Sequence, residues 1–326
     1  MKQVHGRRRL GLLVAGLAFV GAFAACGSGD DDAATDTQAP DQVGGTDEGA
    51  PVLPVEFTNA DGSSTTVTDV SRIVPLNGDI AEVVFALGLG DNVVATDVSA
   101  TYPAEAAALP KVGYQRTLSV EGILAQNPTV VIGNTSAGPP DVIEQLKAVV
   151  PVVIVDYPVD LSGPAAKIEA VATALGVPDH GMALADDVDQ AIETAQAEVP
   201  ADANAPRVVL LYLRGTQVQM IGGADIGVSA VLEAAGVVDA AAEAGITQTS
   251  PITPEALVEA APDVIITTTT GLESVGGIDG LLNIPGVAQT PAGQNRKVLD
   301  FDDQYLLGGG PRSGDALSDL IAALYD

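Results

Sequence analysis

The segment SVEGILAQNPTVVI at residues 119–132 recurs at residues 253–266 as TPEALVEAAPDVII, aligned without gaps at an offset of 134. Each copy begins with Ser or Thr, which cap helix N-termini, and has a Glu in the first turn, where the helix dipole favours a carboxylate. Each then has a Pro before a run rich in Val and Ile, typical of a buried strand. The repeat therefore predicts two similar α/β lobes, with Glu121 and Glu255 at equivalent positions.

Short apolar runs alternate with Ala-rich helical stretches along the whole body, as in helices layered on a mainly parallel sheet. The predicted strands are residues 72–76, 92–96, 130–132, 152–155 and 207–212. Two predicted helices, at 162–175 and 182–198, follow each other with no strand between them. Together they form a connection that is long for a simple crossover.

These patterns divide the chain into five segments. We predict a signal peptide at 1–26, a flexible linker at 27–54, an N-terminal α/β lobe at 55–160, a helical bridge at 161–200 and a C-terminal α/β lobe at 201–326. The linker is acidic and contains little that is apolar, so it cannot bury enough surface to order itself.

The N-terminus has the features of an export signal. Lys2 and three consecutive arginines precede an apolar run at residues 10–25 that is short for a transmembrane span, and the run ends at Cys26, the only cysteine. This resembles a bacterial lipoprotein signal, in which the cysteine becomes lipid-modified. We expect an anchor at Cys26 on the outer face of the cytoplasmic membrane. The arginines also fit a twin-arginine signal.

The charge excludes one class of partner. The first 26 residues hold four of the fourteen Lys and Arg residues and none of the 43 acidic ones, so the remainder has a net charge of −33. Because phosphate binding needs a basic face, nucleic acid is excluded as a partner. In such an acidic protein, Arg116, Arg214 and Arg312 lie in turn-like or Gly-rich contexts that suit an anionic ligand group. A local salt bridge is the alternative for Arg312.

Two Tyr-x-Arg triplets, Tyr114-Gln115-Arg116 and Tyr212-Leu213-Arg214, contain two of the six tyrosines. A phenol becomes a good ligand for ferric iron when its anion is stabilised, and a guanidinium two residues away could do so. Either triplet alone could equally be an ordinary amphipathic pair. Together they indicate a site for iron or an iron chelate.

The chain resembles a known family over residues 68–326: the periplasmic-binding-protein-like receptors of ABC importers for haem, corrinoids and ferric siderophores. The most specific stretches are residues 78–88, 109–119, 138–140 and 306–312. The resemblance implies two Rossmann-like lobes bridged by a long rigid helix, and these stretches look like the haem-receptor branch.

The resemblance also implies roles for the residues above. The tyrosine that matches Tyr114 ligates haem iron, and some members supply a second ligand near Tyr212. Arg116 would support the phenolate, and Arg214 or Arg312 a propionate. One glutamate on each lobe docks onto the permease, which assigns that role to Glu121 and Glu255. Compensation of the helix dipole is the alternative reading of these two carboxylates.

Other functions have little support in the sequence. One histidine after the signal peptide cannot form the His clusters of zinc or manganese receptors, and no phosphate loop or nucleophile elbow is present. We predict a monomeric, non-enzymatic, lipid-anchored receptor that binds haem and delivers it to an ABC importer. A siderophore or corrinoid receptor of the same fold is one alternative, and an acidic scaffold lipoprotein without a small ligand is another.

Overall fold

The structure is a computed structural model that describes residues 49–201, 204–223 and 227–325. The predicted signal peptide, Cys26 and most of the predicted linker lie outside these residues. Within them, no helix is both long enough and apolar enough to cross a membrane.

The eleven strands of the described residues are β1 (Val55–Thr58), β2 (Ser64–Val67), β3 (Ile73–Pro75), β4 (Val130–Asn134), β5 (Val152–Val155), β6 (Arg207–Arg214), β7 (Val218–Ile221), β8 (Val238–Asp239), β9 (Ser250–Pro251), β10 (Val264–Thr268) and β11 (Val298–Phe301).

The α-helices of the same residues are α1 (Gly78–Ala86), α2 (Ala104–Ala108), α3 (Val120–Leu124), α4 (Pro140–Lys147), α5 (Gly163–Ala174), α6 (Pro178–Gln196), α7 (Val228–Ala234), α8 (Ala240–Glu243), α9 (Pro254–Ala260), α10 (Thr269–Ser274), α11 (Gly277–Leu281), α12 (Pro291–Asn295), α13 (Asp303–Leu307) and α14 (Ser313–Tyr325). Short 3₁₀ helices lie at Gly90–Asn92 and Val287–Gln289.

Two sheets form the centres of the two halves of the chain. In the N-terminal half, β3, β4 and β5 are parallel neighbours in that order. The C-terminal sheet has the order β11-β10-β6-β7-β9, with β8 also paired to β6. Its strands β11, β10, β6 and β8 are parallel, whereas β7 is antiparallel to β6 and to β9. The predicted α/β fold is confirmed, and the second sheet is mixed.

The sequence repeat is preserved in the backbone. The side chains of Ser119 and Thr253 each accept a hydrogen bond from the N–H three residues later, at 3.0 and 3.1 Å, and so cap α3 and α9. After each helix one residue adopts a left-handed conformation, Asn127 with φ 51° and Ala261 with φ 43°. The chain then enters β4 or β10, both buried at every position.

An arginine side chain donates to a backbone carbonyl at or just after the C-terminal end of each of these helices. Arg72, just before β3, donates from Nε to the Asn127 carbonyl at 2.8 Å. Arg207, the first residue of β6, donates from Nη2 to the Ala260 carbonyl at 2.9 Å. Cations at helix C-termini interact favourably with the dipole and satisfy terminal carbonyls. The two halves therefore share a structural unit larger than the repeated segment.

The helices α5 and α6 connect the halves and pack against each other, and α14 packs against α6. With 19 residues, α6 is about 28 Å long. It begins at Pro178, earlier than predicted, because Pro is well suited to the first turn of a helix. The break between the helices includes Gly176, whose φ of 79° favours glycine.

The predicted strand at residues 92–96 is wrong. Asn92 ends a 3₁₀ helix, and Val93 and Thr96 form isolated bridges with two different partners, Ile73 and Lys111. A segment that changes neighbour within four residues cannot extend one ladder.

Candidate functional site

Tyr114 lies on a loop between α2 and α3 that buried polar groups hold in place. The Gln115 N–H donates to Asp97 Oδ2 at 3.3 Å, and the Thr117 N–H donates to the Tyr114 carbonyl at 2.7 Å. Asp97 is fully buried, whereas Tyr114 is 37% exposed. The loop backbone is thus anchored to the interior while the phenol faces outward.

The middle residue of this triplet strengthens the anchor. The side-chain amide of Asn77, which is fully buried, donates to Gln115 Oε1. Ser136 Oγ also donates to Gln115 Oε1, at 3.3 Å. Gln115 therefore fixes the loop from inside the protein.

Asp97 is an unusual carboxyl for this protein. Burial raises the pKa of Asp97 to about 6, although hydrogen bonds from the Ser99 hydroxyl and from the Ser99 and Gln115 N–H groups act to lower it. The carboxyl beneath the Tyr114 loop therefore titrates well above the usual range for aspartate.

Tyr212 and Arg214 share a face of β6. Because side chains alternate along a strand, Leu211 and Leu213 point into the core and are fully buried, whereas Tyr212 and Arg214 are partly exposed on the other face. The guanidinium carbon of Arg214 lies 4.4 Å from the centroid of the Tyr212 ring, within the range of a cation–π interaction.

The side chains of the two tyrosines, 98 residues apart in sequence, lie close enough in the structure to interact electrostatically. The pKa of Tyr212 is raised chiefly by burial, and the charge of Arg214 acts against this. The neighbouring Tyr114 phenol also raises the pKa of Tyr212. Burial thus favours the neutral phenol form of Tyr212.

Arg214 is held by groups at the carboxyl edge of its sheet. Its Nη2 forms an ion pair with Asp303 Oδ1, and its Nη1 donates to Thr268 Oγ1 at 3.3 Å. Asp303 also accepts from the Thr270 hydroxyl. These partners fix the guanidinium over the Tyr212 ring.

Arg116 is exposed and differs from the other Lys and Arg side chains in its lack of a partner within the described residues. The ten Lys and Arg residues after residue 26 all lie in the described part of the chain, and within it Arg116 is the one that makes no hydrogen bond or ion pair. A cation without a protein partner, two residues from Tyr114, is available to an anionic ligand group.

Arg312 has the local partner that the sequence left open. Its Nε and Nη2 donate to the two carboxylate oxygens of Glu82, at 2.7 and 2.9 Å. The rings of Tyr102 and Tyr305 lie 3.8 and 4.9 Å from its guanidinium carbon. Two of its five N–H donors thus bind Glu82, and its guanidinium contacts two aromatic rings. A cavity of about 730 Å³ beside it is lined by neither Tyr114 nor Tyr212.

Glu121 and Glu255 lie in the first turns of α3 and α9, as predicted, and both are exposed. Among the described residues neither has an ion-pair partner. Their equivalent locations follow from the structural repeat of the two halves.

Asp97, Asp303 and Glu82 were not predicted from the sequence. Asp303 is the second residue after β11, and Arg214 ends β6, which is separated from β11 in the sheet by β10 alone. Because parallel strands end at one edge, where ligands of α/β proteins bind, the location of Asp303 after a strand was an available signal. Asp97 and Glu82 carried no comparable signal.

Comparison with known proteins identifies the chain. Residues 73–305 match the sequence profile of the family described as Periplasmic binding protein. The chain belongs to this family. Since these are binding proteins, the prediction that the chain is not an enzyme is confirmed.

Three relatives of this periplasmic binding protein are informative. The solved structure of the "Periplasmic heme-binding protein RhuT" of Roseiflexus sp. RS-1 is 51% identical, covers 79% of this chain and 99% of its own, and has a TM-score of 0.77. The "Uncharacterized ABC transporter substrate-binding lipoprotein YvrC" of Bacillus subtilis is 27% identical over 84% of this chain and 86% of its own. A "Vitamin B12-binding protein" of Vibrio parahaemolyticus is 35% identical over 24% of this chain and 28% of its own.

Proposed function

We propose that this protein is the lipid-anchored, extracytoplasmic receptor of an ABC importer, and that it binds haem through Tyr114 and Tyr212. The observation that carries the proposal is the contact between two tyrosines from different halves of the chain, with Arg214 over one ring. The haem-binding name of a relative that is 51% identical supports the choice of ligand.

The principal iron ligand in this proposal is the phenolate of Tyr114. Ferric iron is a hard cation that favours an anionic oxygen, and haem iron bound by a tyrosine has precedent. The Tyr212 hydroxyl would donate to that oxygen, and the positive charge of Arg214 would favour negative charge at the pair. Whether Tyr212 itself binds iron depends on loss of its own proton, which burial opposes.

Arg116 and Arg214 are the proposed partners of the haem propionates. Arg116 has no partner in the described chain, so it can bind a carboxylate without breaking a protein contact. Arg214 could bind a propionate while it keeps its ion pair with Asp303. Arg312 would contribute less, because its ion pair with the buried Glu82 already offsets its charge and, with the two ring contacts, holds its position.

Cys26 is the proposed lipid attachment site. It follows an apolar run and is the only cysteine, and a relative that spans most of the chain has a lipoprotein name. Metabolic labelling with a radioactive fatty acid tests this: label should enter the parent protein and not Cys26→Ala. A parent that carries no label would contradict the anchor.

Glu121 and Glu255 are the proposed contacts with the permease. Both carboxylates are exposed in the first turns of equivalent helices, so they could bind two cationic sites on a membrane partner with related halves. Charges at the edge of an interface mainly guide the encounter of the two proteins and their relative orientation.

Titration of the ligand-free protein with haemin tests the proposed function. A one-to-one or two-to-one complex should give a Soret band together with the charge-transfer band of a ferric high-spin tyrosinate. A ferric siderophore that bound in its place would give no Soret band, and a scaffold protein would remain colourless. Absence of a haemin complex would refute the proposal.

A corrinoid is the second candidate, favoured by the vitamin B12-binding name of one relative. That likeness covers 24% of this chain, so it carries less weight than the likeness to RhuT, which covers 79% of this chain. Parallel titrations with haemin and cyanocobalamin decide between them, because tighter binding of cyanocobalamin would favour the corrinoid.

A further inference from the structure

The neighbouring residues Asp303 and Gln304, at the start of α13, contact opposite halves of the protein. Asp303 pairs with Arg214 at the end of β6, in the C-terminal half. Gln304 is buried and donates from Nε2 to the Gly78 carbonyl at 3.0 Å and to Glu82 Oε2 at 2.7 Å, both on α1 in the N-terminal half. One turn of helix thus connects the two halves.

Gln304 also holds the segment before α2. Its Oε1 accepts from the Thr101 N–H at 2.8 Å and from the Tyr102 N–H at 3.0 Å, while Nε2 donates to the Tyr102 carbonyl at 3.1 Å. Only an amide offers donors and an acceptor on one short head group, so neither Glu nor an aliphatic residue could replace these contacts.

From Gly78 the hydrogen bonds continue to the Tyr114 loop. The Gly78 N–H donates to Ser99 Oγ at 3.0 Å, and that hydroxyl donates to Asp97 Oδ1 at 2.8 Å. Asp97 in turn accepts from the Gln115 N–H, next to Tyr114. Every step lies in the buried or half-buried interior.

In the other direction the contacts lead to the second tyrosine. Asp303 binds Arg214, whose guanidinium lies over the Tyr212 ring, and Tyr212 lies beside Tyr114. The contacts therefore lead from α13 to the Tyr114 loop in one direction and to Tyr212 in the other.

We propose that Gln304 is a positioning residue for the tyrosine pair: through α13 it fixes the Tyr114 loop and the Arg214–Tyr212 strand end relative to each other before a ligand enters. Gln304 touches neither tyrosine and acts through Asp303 on one side and Gly78 on the other. The expected effect of Gln304 on ligand binding rests on the proposed haem function. Its expected effect on the distance between the halves does not.

Distances between two spin labels test the proposal without haem. Labels at Val149→Cys and Val258→Cys, both exposed and in different halves, would be measured in the full chain with Cys26→Ser. Gln304→Ala should broaden the distance distribution relative to the parent. Gln145→Ala is the matched control, because Gln145 is exposed and donates only to Asp141 of its own helix. It should leave the distribution unchanged.

Asp303→Asn is the second variant, and it decides the test if Gln304→Ala does not fold. It removes the ion pair to Arg214 and leaves the contacts of Gln304 in place, so the distribution should broaden as well. A parental distribution in the variants that fold would overturn the proposal.

Haemin titration gives the second readout. In Gln304→Ala, binding should be about five- to tenfold weaker, since roughly one net hydrogen bond of preorganisation is lost, and the tyrosinate charge-transfer band should shift at saturation. Parental affinity and spectrum in a variant with broadened distances would overturn the positioning role. If the parent binds no haemin, the proposed function fails, and the distances alone decide this inference.

Discussion

Tyr114 and Tyr212 lie close enough to interact electrostatically although they come from different halves of the chain. One phenol lies on a loop anchored by Asp97, and the other lies near the end of a strand whose next exposed residue is Arg214. The two Tyr-x-Arg triplets, one on a loop and one on a strand, are thus brought together, with two phenol oxygens and a positive charge close to each other.

Substitution of the tyrosines should separate their roles. Tyr114→Ala should remove the tyrosinate charge-transfer band of the haem complex and weaken haem binding more than about 100-fold, beyond the usual effect of losing a residue that only orients a ligand. Tyr212→Phe should retain the band with weaker binding, because the ring still packs while the donated hydrogen bond is lost. Absorbance titration measures both. If Tyr212→Phe loses the band and Tyr114→Ala keeps it, the ligand is Tyr212.

Opposite charges beside Tyr212 should shift its ionisation in opposite directions. The charge of Arg214 lowers the pKa of Tyr212 and that of Asp303 raises it. Arg214→Ala should therefore raise the pKa of Tyr212, and Asp303→Asn should lower it. Ultraviolet titration of the ligand-free proteins, with Tyr212→Phe subtracted to isolate this phenol, provides the measurement. Shifts of the same sign in both variants would contradict the electrostatic account.

Two arginines should differ in their effect on stability. Arg312→Ala leaves the buried carboxylate of Glu82 without its cationic partner, with the Gln304 amide still donating to it, and should cost about 3–5 kcal/mol of unfolding free energy. Arg116→Ala removes an exposed side chain without a partner in the described chain and should change stability by less than about 0.5 kcal/mol. Denaturant titration compares them. Equal costs would show that the Glu82 pair does not stabilise the fold.

Asp97 should make stability fall as pH rises from 4 to 6. Its pKa is about 6 in the folded protein, above its usual value of 3.8, so between these values the folded state binds the proton and the unfolded state does not. The free energy of unfolding of the parent minus that of Asp97→Asn should decrease across this window and be constant above about pH 7. Urea unfolding at several pH values tests this. An increase across the window would reverse the sign and reject the assignment.

Charge reversal at Glu121 and Glu255 should separate delivery from binding. Both residues are exposed on helices α3 and α9, so the double change to Lys should leave haem affinity within about twofold of the parent and abolish haem transfer to the permease in reconstituted vesicles. A double change to Gln should give a partial loss. Weaker haem binding by the isolated variant would indicate that these residues contribute to the ligand site.

The repeat predicted the local structure well because its signals are local. The Ser119 and Thr253 caps, the short helices and the buried strands that follow them depend on residues within about fifteen positions of each other. The same reasoning failed at residues 92–96, where a short apolar run was present but the two neighbouring segments did not belong to one ladder.

The sequence by itself determined the α/β class, the repeated helix–strand unit and the candidate iron ligands, because periodicity, capping and side-chain chemistry are properties of the residues themselves. Only the tertiary structure decided which groups meet. Arg312 pairs with Glu82 across 230 positions, Arg214 pairs with Asp303 across 89, and Tyr114 meets Tyr212. In a chain with many carboxylates per cation, charge alone cannot select a partner, since selection depends on which strand ends and loops folding brings to the same edge.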